Sequence, residues 1–228
     1  MYKRQKLTLV DSADYEGIPQ GWIFGSTGGT VQIHSVGHNT YSFYLYKQVY
    51  GEDGKPLEGV YTDLNGDGKI NSKDLYRSKS SEPKMTCGLS TSVSFRNWEL
   101  STSVRGSFGN YMYNNMNSAL ATYSNILSPS KTILNAPRNV FDTNFYLNQP
   151  LSDYYLENAS FIKMDNLSLS YNFGKIFNQK IGLRATLSVQ NVFTITGYSG
   201  LDPEIAGGVD RSFYPRPRTY ALGFNLNY

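Results

Sequence analysis

The sequence is poor in charge and in cysteine, and it contains no long apolar run. Charged residues make up 17% of the 228 residues, whereas about 25% is usual in soluble domains. The single cysteine, Cys87, excludes an internal disulfide, and its alternation with apolar neighbours indicates a small hydrophobe rather than a nucleophile. No apolar stretch approaches the ~18 residues that a membrane-spanning helix requires, which excludes helical spans.

The features of several common functional classes are also missing. The 21 Lys and Arg residues are scattered, and no basic stretch interleaves with aromatic residues, so a nucleic-acid partner is excluded. His34 and His38 lack zinc-site spacing, and the acids Glu157 and Asp165 have no second feature that supports glycosidase chemistry. Because nothing supplies both a nucleophile and an activating base, the sequence predicts a protein that is not an enzyme.

The start of the sequence lacks a signal peptide. Lys3, Arg4 and Lys6 lead into residues 7–10 before Asp11, which is too short a run for the apolar part of a signal. Residues 1–5 resemble the translation of a transposon end used in library preparation, so we expect a non-native leader there. Residues 6–39 are expected to be an upstream connection with a possible short strand at 30–35. These features predict the C-terminal part of a longer exported protein.

Aromatic residues are abundant, and apolar residues alternate with small polar ones along several segments. Aromatics make up 14%, with 19 Tyr and 12 Phe, a composition typical of strands. The period-two alternation predicts strands at 85–95, 98–108, 166–173, 181–190 and 220–228, with a less regular strand at 41–50. In a barrel, such alternation places one set of side chains in lipid and the other in the lumen.

Short and long connections alternate between these strands. Short turns are expected at Arg96 and Asn97 and at 174–180, and long segments at 51–83, 109–160 and 197–217. Outer-membrane barrels have short periplasmic turns and long external loops. We therefore predict an all-β fold, an antiparallel transmembrane outer-membrane β-barrel. Residues 40–228 would supply about its last seven strands, with long extracellular loops.

A soluble β-sandwich or a lectin-like domain would also show alternating strands. Its solvated faces usually carry more Lys and Glu than the Ser, Thr, Asn and Gly found on the polar sides of these segments. Structureless loops of this length are also rare in compact soluble domains. Both observations favour the barrel.

A calcium-like loop lies within the first long segment, at 63–74. It matches the pattern D-x-[DN]-x-[DN]-G, with Asp instead of Glu at the last ligand position. The expected ligands are Asp63, Asn65, Asp67, the Lys69 carbonyl and Asp74. The sequence predicts one Ca²⁺ at this loop and no other cofactor, while the alternative is a plain cluster of Asn-Gly and Asp-Gly turns.

Tyrosine and asparagine are dense in the longest of the external segments. Aromatic faces combined with amides suit contact with a sugar, a peptide or a protein partner. The residues expected to form such contacts are Tyr111, Tyr113, Asn114, Asn115, Tyr154 and Tyr155. The alternative is that these rings pack the loops on one another, because a long ordered loop needs a small core of its own.

Several stretches resemble the C-terminal region of SusC/RagA-type TonB-dependent transporters. These stretches lie, in matching order, at 41–44, 54–74, 158–171, 190–193, 200–204 and 214–220. The resemblance implies a multi-pass barrel in the outer membrane of a Gram-negative, Bacteroidetes-like bacterium. It implies a nutrient importer that is energised by TonB through an N-terminal part absent from this sequence. It also implies a SusD-like surface lipoprotein that captures an oligosaccharide or peptide substrate.

Two other functions are compatible with the residues alone. One is a calcium-stabilised surface adhesin, in which the loops hold a partner and nothing crosses the membrane. The other is a passive porin. A plug and a TonB-contacting segment upstream would distinguish the importer from both.

Overall fold

The computed structural model describes residues 16–26, 29–127, 132–176, 180–211 and 214–228. The predicted leader at 1–5 and the first part of the 6–39 connection lie outside these ranges. Among the described residues, no helix is long and apolar enough to cross a membrane. The strands are β1 (Ile18–Trp22), β2 (Thr30–His34), β3 (Ser42–Leu45), β4 (Gln48–Tyr50), β5 (Pro56–Tyr61), β6 (Tyr76–Ser80), β7 (Met85–Phe95), β8 (Trp98–Phe108), β9 (Tyr111–Asn114), β10 (Leu156–Asn158), β11 (Phe161–Ile176), β12 (Ile181–Thr196), β13 (Val209–Asp210) and β14 (Thr219–Asn227). The α-helices are α1 (Asn115–Leu120), α2 (Tyr123–Ile126) and α3 (Val140–Thr143), and 3₁₀ turns lie at Ser72–Asp74, Asp153–Tyr155 and Ala206–Gly208.

Five long strands form one antiparallel sheet in the order β14-β12-β11-β8-β7, which we call the wall. The predicted hairpin of β7 and β8 is confirmed with the expected bounds. Its turn places Arg96 in the left-handed region, at φ 53°. The segments predicted at 181–190 and 220–228 are also strands of the wall, although β12 continues to Thr196.

Each face of the wall has a uniform chemistry because the strand register aligns the alternating residues. One row across the five strands consists of Val93, Leu100, Leu169, Leu187 and Leu222. The adjacent row on the other face consists of Ser92, Ser101, Ser168, Ser188 and Ala221. All five members of the apolar row are exposed. The wall therefore presents a continuous apolar face and a small polar face.

Two bulges explain why strand β11 is longer than the alternation predicts. The register shifts between Met164 and Asn166 against both neighbouring strands. Relative to β8, Asp165 is an extra residue, and it reverses the alternation of β11. On the apolar face, Ile162 and Met164 before it are even-numbered, whereas Leu167 and Leu169 after it are odd-numbered. A second shift follows Asn172, and Gly174 has φ 73°. The predicted turn at 174–180 was therefore wrong at its start, because Gly174 lies in a bulge and the strand ends at Ile176. Residues 177–179 lie outside the described residues.

The long connections fold into a second region, which we call the outer module: the described residues of 16–80 and 110–159 together with β13. It contains the sheets β1-β2-β3-β6, β10-β9-β13 and β4-β5. The expected strand at 30–35 is confirmed as β2. The single strand expected at 41–50 was wrong, because β3 and β4 belong to different sheets and Tyr46 between them bridges to Ser152. The wall thus contains five of the predicted strands, and the outer module contains the others.

The outer module has a hydrophobic core of its own. Its buried side chains come from the second and third long connections and from the segment before the first: Ile23, Val31, Phe43, Leu45, Tyr113, Phe145, Tyr155 and Val209. Phe43, Leu45 and Tyr113 are completely inaccessible to solvent. The long external segments are therefore one packed unit rather than separate loops.

Candidate functional sites

The loop at 63–74 is a series of turns closed by side-chain acceptors. The Asp63 carboxylate accepts hydrogen bonds from the backbone N–H of Gly66 at 2.7 Å and of Gly68 at 2.8 Å. Asn65 Oδ1 accepts from Asp67 N at 2.9 Å, and Asp67 Oδ1 accepts from Lys69 N at 2.9 Å. Gly66 and Gly68 have φ 75° and 77°, so the left-handed backbone here favours glycine.

Asp74 closes this loop from within the protein. Its side chain is fully buried and accepts hydrogen bonds from the backbone N–H of Asn71 at 2.9 Å and of Leu64 at 3.0 Å. The hydrogen bond from Asn71, followed by that from Leu64, holds the pKa of Asp74 below its usual range. Asp74 therefore remains a carboxylate at neutral pH.

The five predicted calcium ligands lie along one turn, but backbone amides already contact several of their oxygens. Asn71 also donates a hydrogen bond from Nδ2 to the Lys69 carbonyl at 3.2 Å. Within the described residues, no group of three or more His, Cys, Asp or Glu side chains is gathered closely enough to hold a metal ion. The oxygen-only donor set suits a hard cation, and calcium binding stays a prediction.

Four of the six predicted contact residues lie in the interior of the outer module. Tyr113, Asn115, Asn114 and Tyr155 are at most 1% exposed. Tyr113 donates a hydrogen bond to the Pro150 carbonyl at 2.6 Å. Asn115 accepts one from Phe24 N at 2.9 Å. For these four residues the structure favours packing of the loops on one another.

The other two predicted contact residues, Tyr111 and Tyr154, are partly buried. Lys79 lies over the Tyr111 ring, with Nζ 5.6 Å from the centroid. The Tyr154 ring packs edge-on against Tyr155 at 5.0 Å, and its hydroxyl accepts a hydrogen bond from Asn139 Nδ2 at 3.0 Å. Burial raises the pKa of Tyr154. Only these two rings of the predicted set retain accessible surface.

A partly buried polar network, which no sequence pattern predicted, joins the first and second long segments. Asp153 accepts hydrogen bonds from Gln48 N at 2.8 Å and from the Tyr76 hydroxyl at 2.5 Å. The Ser152 hydroxyl donates to Gln48 Oε1 at 2.6 Å. Burial, followed by the contact with Asp153, raises the pKa of Tyr76 to about 12. These bonds fix the two segments against each other.

An ion cluster occupies the polar face of the wall near the outer module. Arg105 of β8 contacts Asp165 at 2.5 Å and pairs through both terminal nitrogens with Glu204. Lys163 Nζ lies 3.6 Å and Arg216 Nη1 3.2 Å from Glu204 Oε2. Periodicity could not predict this cluster, although charged residues are rare on a face made of Ser, Thr and Asn. Asp165 therefore pairs with Arg105, whereas Glu157 binds Ser199 and Asn114.

The ion cluster borders a cavity of about 520 Å³ between the wall and the segment that follows β12. Arg105, Ser107, Asn110 and Glu204 contribute polar groups to its lining, and Phe161 contributes an aromatic surface. A cavity of this size lies in the range of small-molecule sites.

Comparisons with known proteins identify relatives over nearly the whole chain. No family model matches. The chain is 36% identical to the TonB-dependent receptor SusC of Bacteroides thetaiotaomicron, over 98% of this chain and 23% of that protein. It is 28% identical to the TonB-dependent receptor P3 of Formosa agariphila, over 77% of this chain and 19% of that protein. The chain thus spans about a fifth to a quarter of the length of these curated relatives.

Solved structures give the same result for the fold. The RagAB peptide importer in its open-open state aligns with 100% of this chain and 26% of its own chain, with a TM-score of 0.70 and 24% identity. A second RagAB structure aligns with a TM-score of 0.68 and 24% identity. These likenesses and the uniform faces of the wall define an all-β protein that forms part of an antiparallel barrel.

The extent of the match to SusC identifies the family. The chain belongs to the SusC/RagA-type TonB-dependent receptors. The relatives are named as receptors and a peptide importer, and these are not enzymes.

Proposed function

We propose that this chain forms wall and surface of a TonB-dependent nutrient importer in the outer membrane of a Bacteroidetes-like bacterium. The observation that carries the proposal is the 36% identity to SusC across 98% of the chain. The exposed apolar face of the wall supports it, because Leu, Val and Phe side chains on a sheet face are stable against lipid. The opposite face of small polar residues would then line the lumen.

The outer module would lie outside the cell. The wall strands are joined by the short Arg96–Asn97 turn at one end and by the outer module at the other. This asymmetry is typical of outer-membrane barrels, whose long connections are external. The outer module is therefore the surface at which a SusD-like lipoprotein would deliver an oligosaccharide or peptide substrate. TonB would act through a part of the receptor outside this sequence.

Uptake by the complete receptor tests this function. A strain that lacks the receptor should fail to take up one class of labelled oligosaccharide or oligopeptide, and the intact gene should restore uptake. Dissipating the proton gradient should abolish that uptake, because a TonB-driven importer requires it. Uptake that persists without the gradient would indicate a passive porin. Surface binding without uptake would indicate an adhesin. Copurification of a surface lipoprotein with the receptor tests the proposed partner.

We also propose that the loop at 63–74 binds one Ca²⁺ that stiffens it. The buried and ionised Asp74, the half-buried Asp63 and the exposed Asp67 offer the hard oxygen ligands that calcium prefers. Extracellular sites of this kind have affinities on the order of 10⁻⁴ to 10⁻³ M. Isothermal titration of the complete receptor with calcium, compared with its Asp67→Ala variant, tests this proposal.

A further inference from the structure

Residues 197–211, which we call the strap, connect the wall to the outer module. The strap begins where β12 ends and includes β13, whose Val209 and Asp210 pair in parallel with Tyr113 and Asn114 of β9. Gln32 also donates a hydrogen bond to the Gly207 carbonyl at 2.7 Å. One part of the strap is therefore fixed to the outer module by backbone pairing and side-chain contacts.

Glu204 joins the strap to the wall through ion pairs. Its carboxylate accepts two hydrogen bonds from the Arg105 guanidinium, and one of these measures 2.7 Å. Such two-pronged pairing is the strongest arrangement available to an arginine and a carboxylate. The same carboxylate lies 3.6 Å from Lys163 Nζ, and this lysine side chain is only 5% exposed. The strap thus inserts a negative charge between two cations of the wall.

The register of the wall makes this charge necessary. Arg105 of β8 and Lys163 of β11 are directly paired across the two strands. Like charges in this position destabilise a sheet, and Asp165 contacts only Arg105 among the ion pairs of this cluster. Glu204 supplies the charge that lets both cations occupy the polar face. The wall and the strap therefore depend on each other at this point.

A second set of contacts holds Arg216, which follows the strap in the sequence, against the same carboxylate. Arg216 lies 3.2 Å from Glu204 Oε2 and 2.5 Å from Asp202 Oδ2. Asn191, at a register irregularity of β12, donates a hydrogen bond to the Arg216 carbonyl at 2.9 Å. Three cations from three separate parts of the chain thus converge on Glu204. The stretches at 200–204 and 214–220, which stood out in the sequence, meet at this point.

The cluster lies toward the outer end of the wall. Arg105 follows the Arg96–Asn97 turn by eight residues, which is about 27 Å along a strand, or roughly 20 Å across a membrane at the usual tilt. This height lies near the upper border of the apolar band of an outer-membrane barrel, which is about 25 Å tall. We infer that Glu204 is the latch that holds the strap, and through it the outer module, on the rim of the wall.

Hydrogen exchange of the complete receptor tests the latch. Glu204→Gln keeps the shape of the side chain and removes its charge. We expect amide exchange within 197–211 to accelerate at least ~5-fold, because exchange follows local opening. Glu99→Gln is the matched control. It removes the 2.7 Å contact with Arg184 on the same polar face, nearer the short turn, and it should leave exchange of the strap unchanged.

Two further measurements keep the proposal testable if Glu204→Gln fails to assemble. Glu204→Asp retains the charge but withdraws it from Arg105, so the strap should exchange faster than in the wild type. High salt should also accelerate exchange of the wild-type strap, because the carboxylate is 28% exposed and its pairs are screened at ~1 M. Strap exchange that is the same in wild type and in the assembled Glu204 variant, or that does not respond to salt, would overturn the latch.

Discussion

The wall and the outer module are both built from strands, yet they bury their apolar side chains in opposite ways. In β7 and β14 of the wall every residue is exposed, and the large apolar side chains all lie on one face. In the outer module, Phe43, Leu45 and Tyr113 are completely buried. The module therefore supplies its own core, whereas the wall depends on the medium against which its apolar face rests.

This difference also appears in the polar groups. The wall separates polar and apolar residues onto two faces, so few of its polar side chains need a buried partner. The module buries Asn114, Asn115 and Gln48 at its centre and gives each of them hydrogen bonds. Buried amides require such partners. The two regions should therefore respond differently to the same kind of substitution.

The largest effect should follow loss of core volume in the outer module. Phe43→Ala in the complete receptor removes a ring that is fully buried and should destabilise the module by about 3 to 5 kcal/mol. Hydrogen exchange should show loss of protection across β3, β9 and β13 while β7 and β8 keep theirs. Phe141→Ala is the control, because that ring is 66% exposed. Equal effects of the two substitutions would mean that the module has no independent core.

The next effect should separate the two faces of the wall. Leu187→Arg places a charge in the middle of the apolar row and should cost roughly 2 to 4 kcal/mol in a membrane. Ser188→Arg, at the next position on the same strand, should cost much less because Ser188 lies on the polar face. Reversible unfolding of the complete receptor in lipid vesicles measures both. Similar costs would refute the assignment of the apolar face to lipid.

The wall was predictable from the sequence because its strands obey one simple rule. Alternation located β7, β8 and their turn without error, since no residue interrupts the period. It placed the start of β11 too late, because Asp165 adds one residue relative to β8 and reverses the phase. A single sequence shows such a bulge only as a loss of periodicity, which is also how a strand end appears.

The outer module was much less predictable. Its strands are short, and β4, β10 and β13 have three residues or fewer, so no period can be recognised. Tyr113 and Asn114 were expected at the surface as contact residues, because tyrosine and asparagine occur both in binding loops and in buried networks. Only the tertiary contacts among three distant segments decide between these roles. The ion cluster could not be predicted for the same reason, since 99 residues separate Glu204 from Arg105 in the sequence.

Removal of calcium should have a smaller effect that is confined to the outer module. A free calcium concentration about ten times the dissociation constant stabilises the site by about 1.4 kcal/mol. Chelation, or Asp67→Ala, should therefore accelerate limited proteolysis within 63–74 of the complete receptor and leave the wall intact. Asp53→Ala is the matched control, because Asp53 caps a neighbouring exposed turn through Lys55 N. If cleavage is identical with calcium, with chelator and in Asp67→Ala, the loop at 63–74 is a plain turn without a calcium site.

The smallest effect should be a pH dependence at the junction of the two regions. The hydrogen bonds from Arg105, opposed by burial, hold the pKa of Glu204 below its ordinary value of 4.5. The charged groups in the same ion cluster are Arg105, Lys163, Asp165, Asp202 and Arg216. A lowered pKa in the folded state means that the stabilising contribution is complete above 4.5 and is lost as pH falls through the lower folded value. The contribution should be about 1 kcal/mol at most per ion pair, since the cluster is partly solvated.

The measurement is hydrogen exchange of 197–211 in the complete receptor at about pH 7 and about pH 4, corrected for the intrinsic effect of pH on exchange. Protection of the strap should fall at the lower pH in the wild type. In Glu204→Gln it should be low at both values, because the titrating group is absent. Other carboxylates also gain protons near pH 4, and the difference between the two proteins isolates the share of Glu204. The difference in strap protection between the wild type and Glu204→Gln should disappear well below pH 4. If the difference stays as large there as at pH 7, the attachment of the strap to the wall does not depend on this charge.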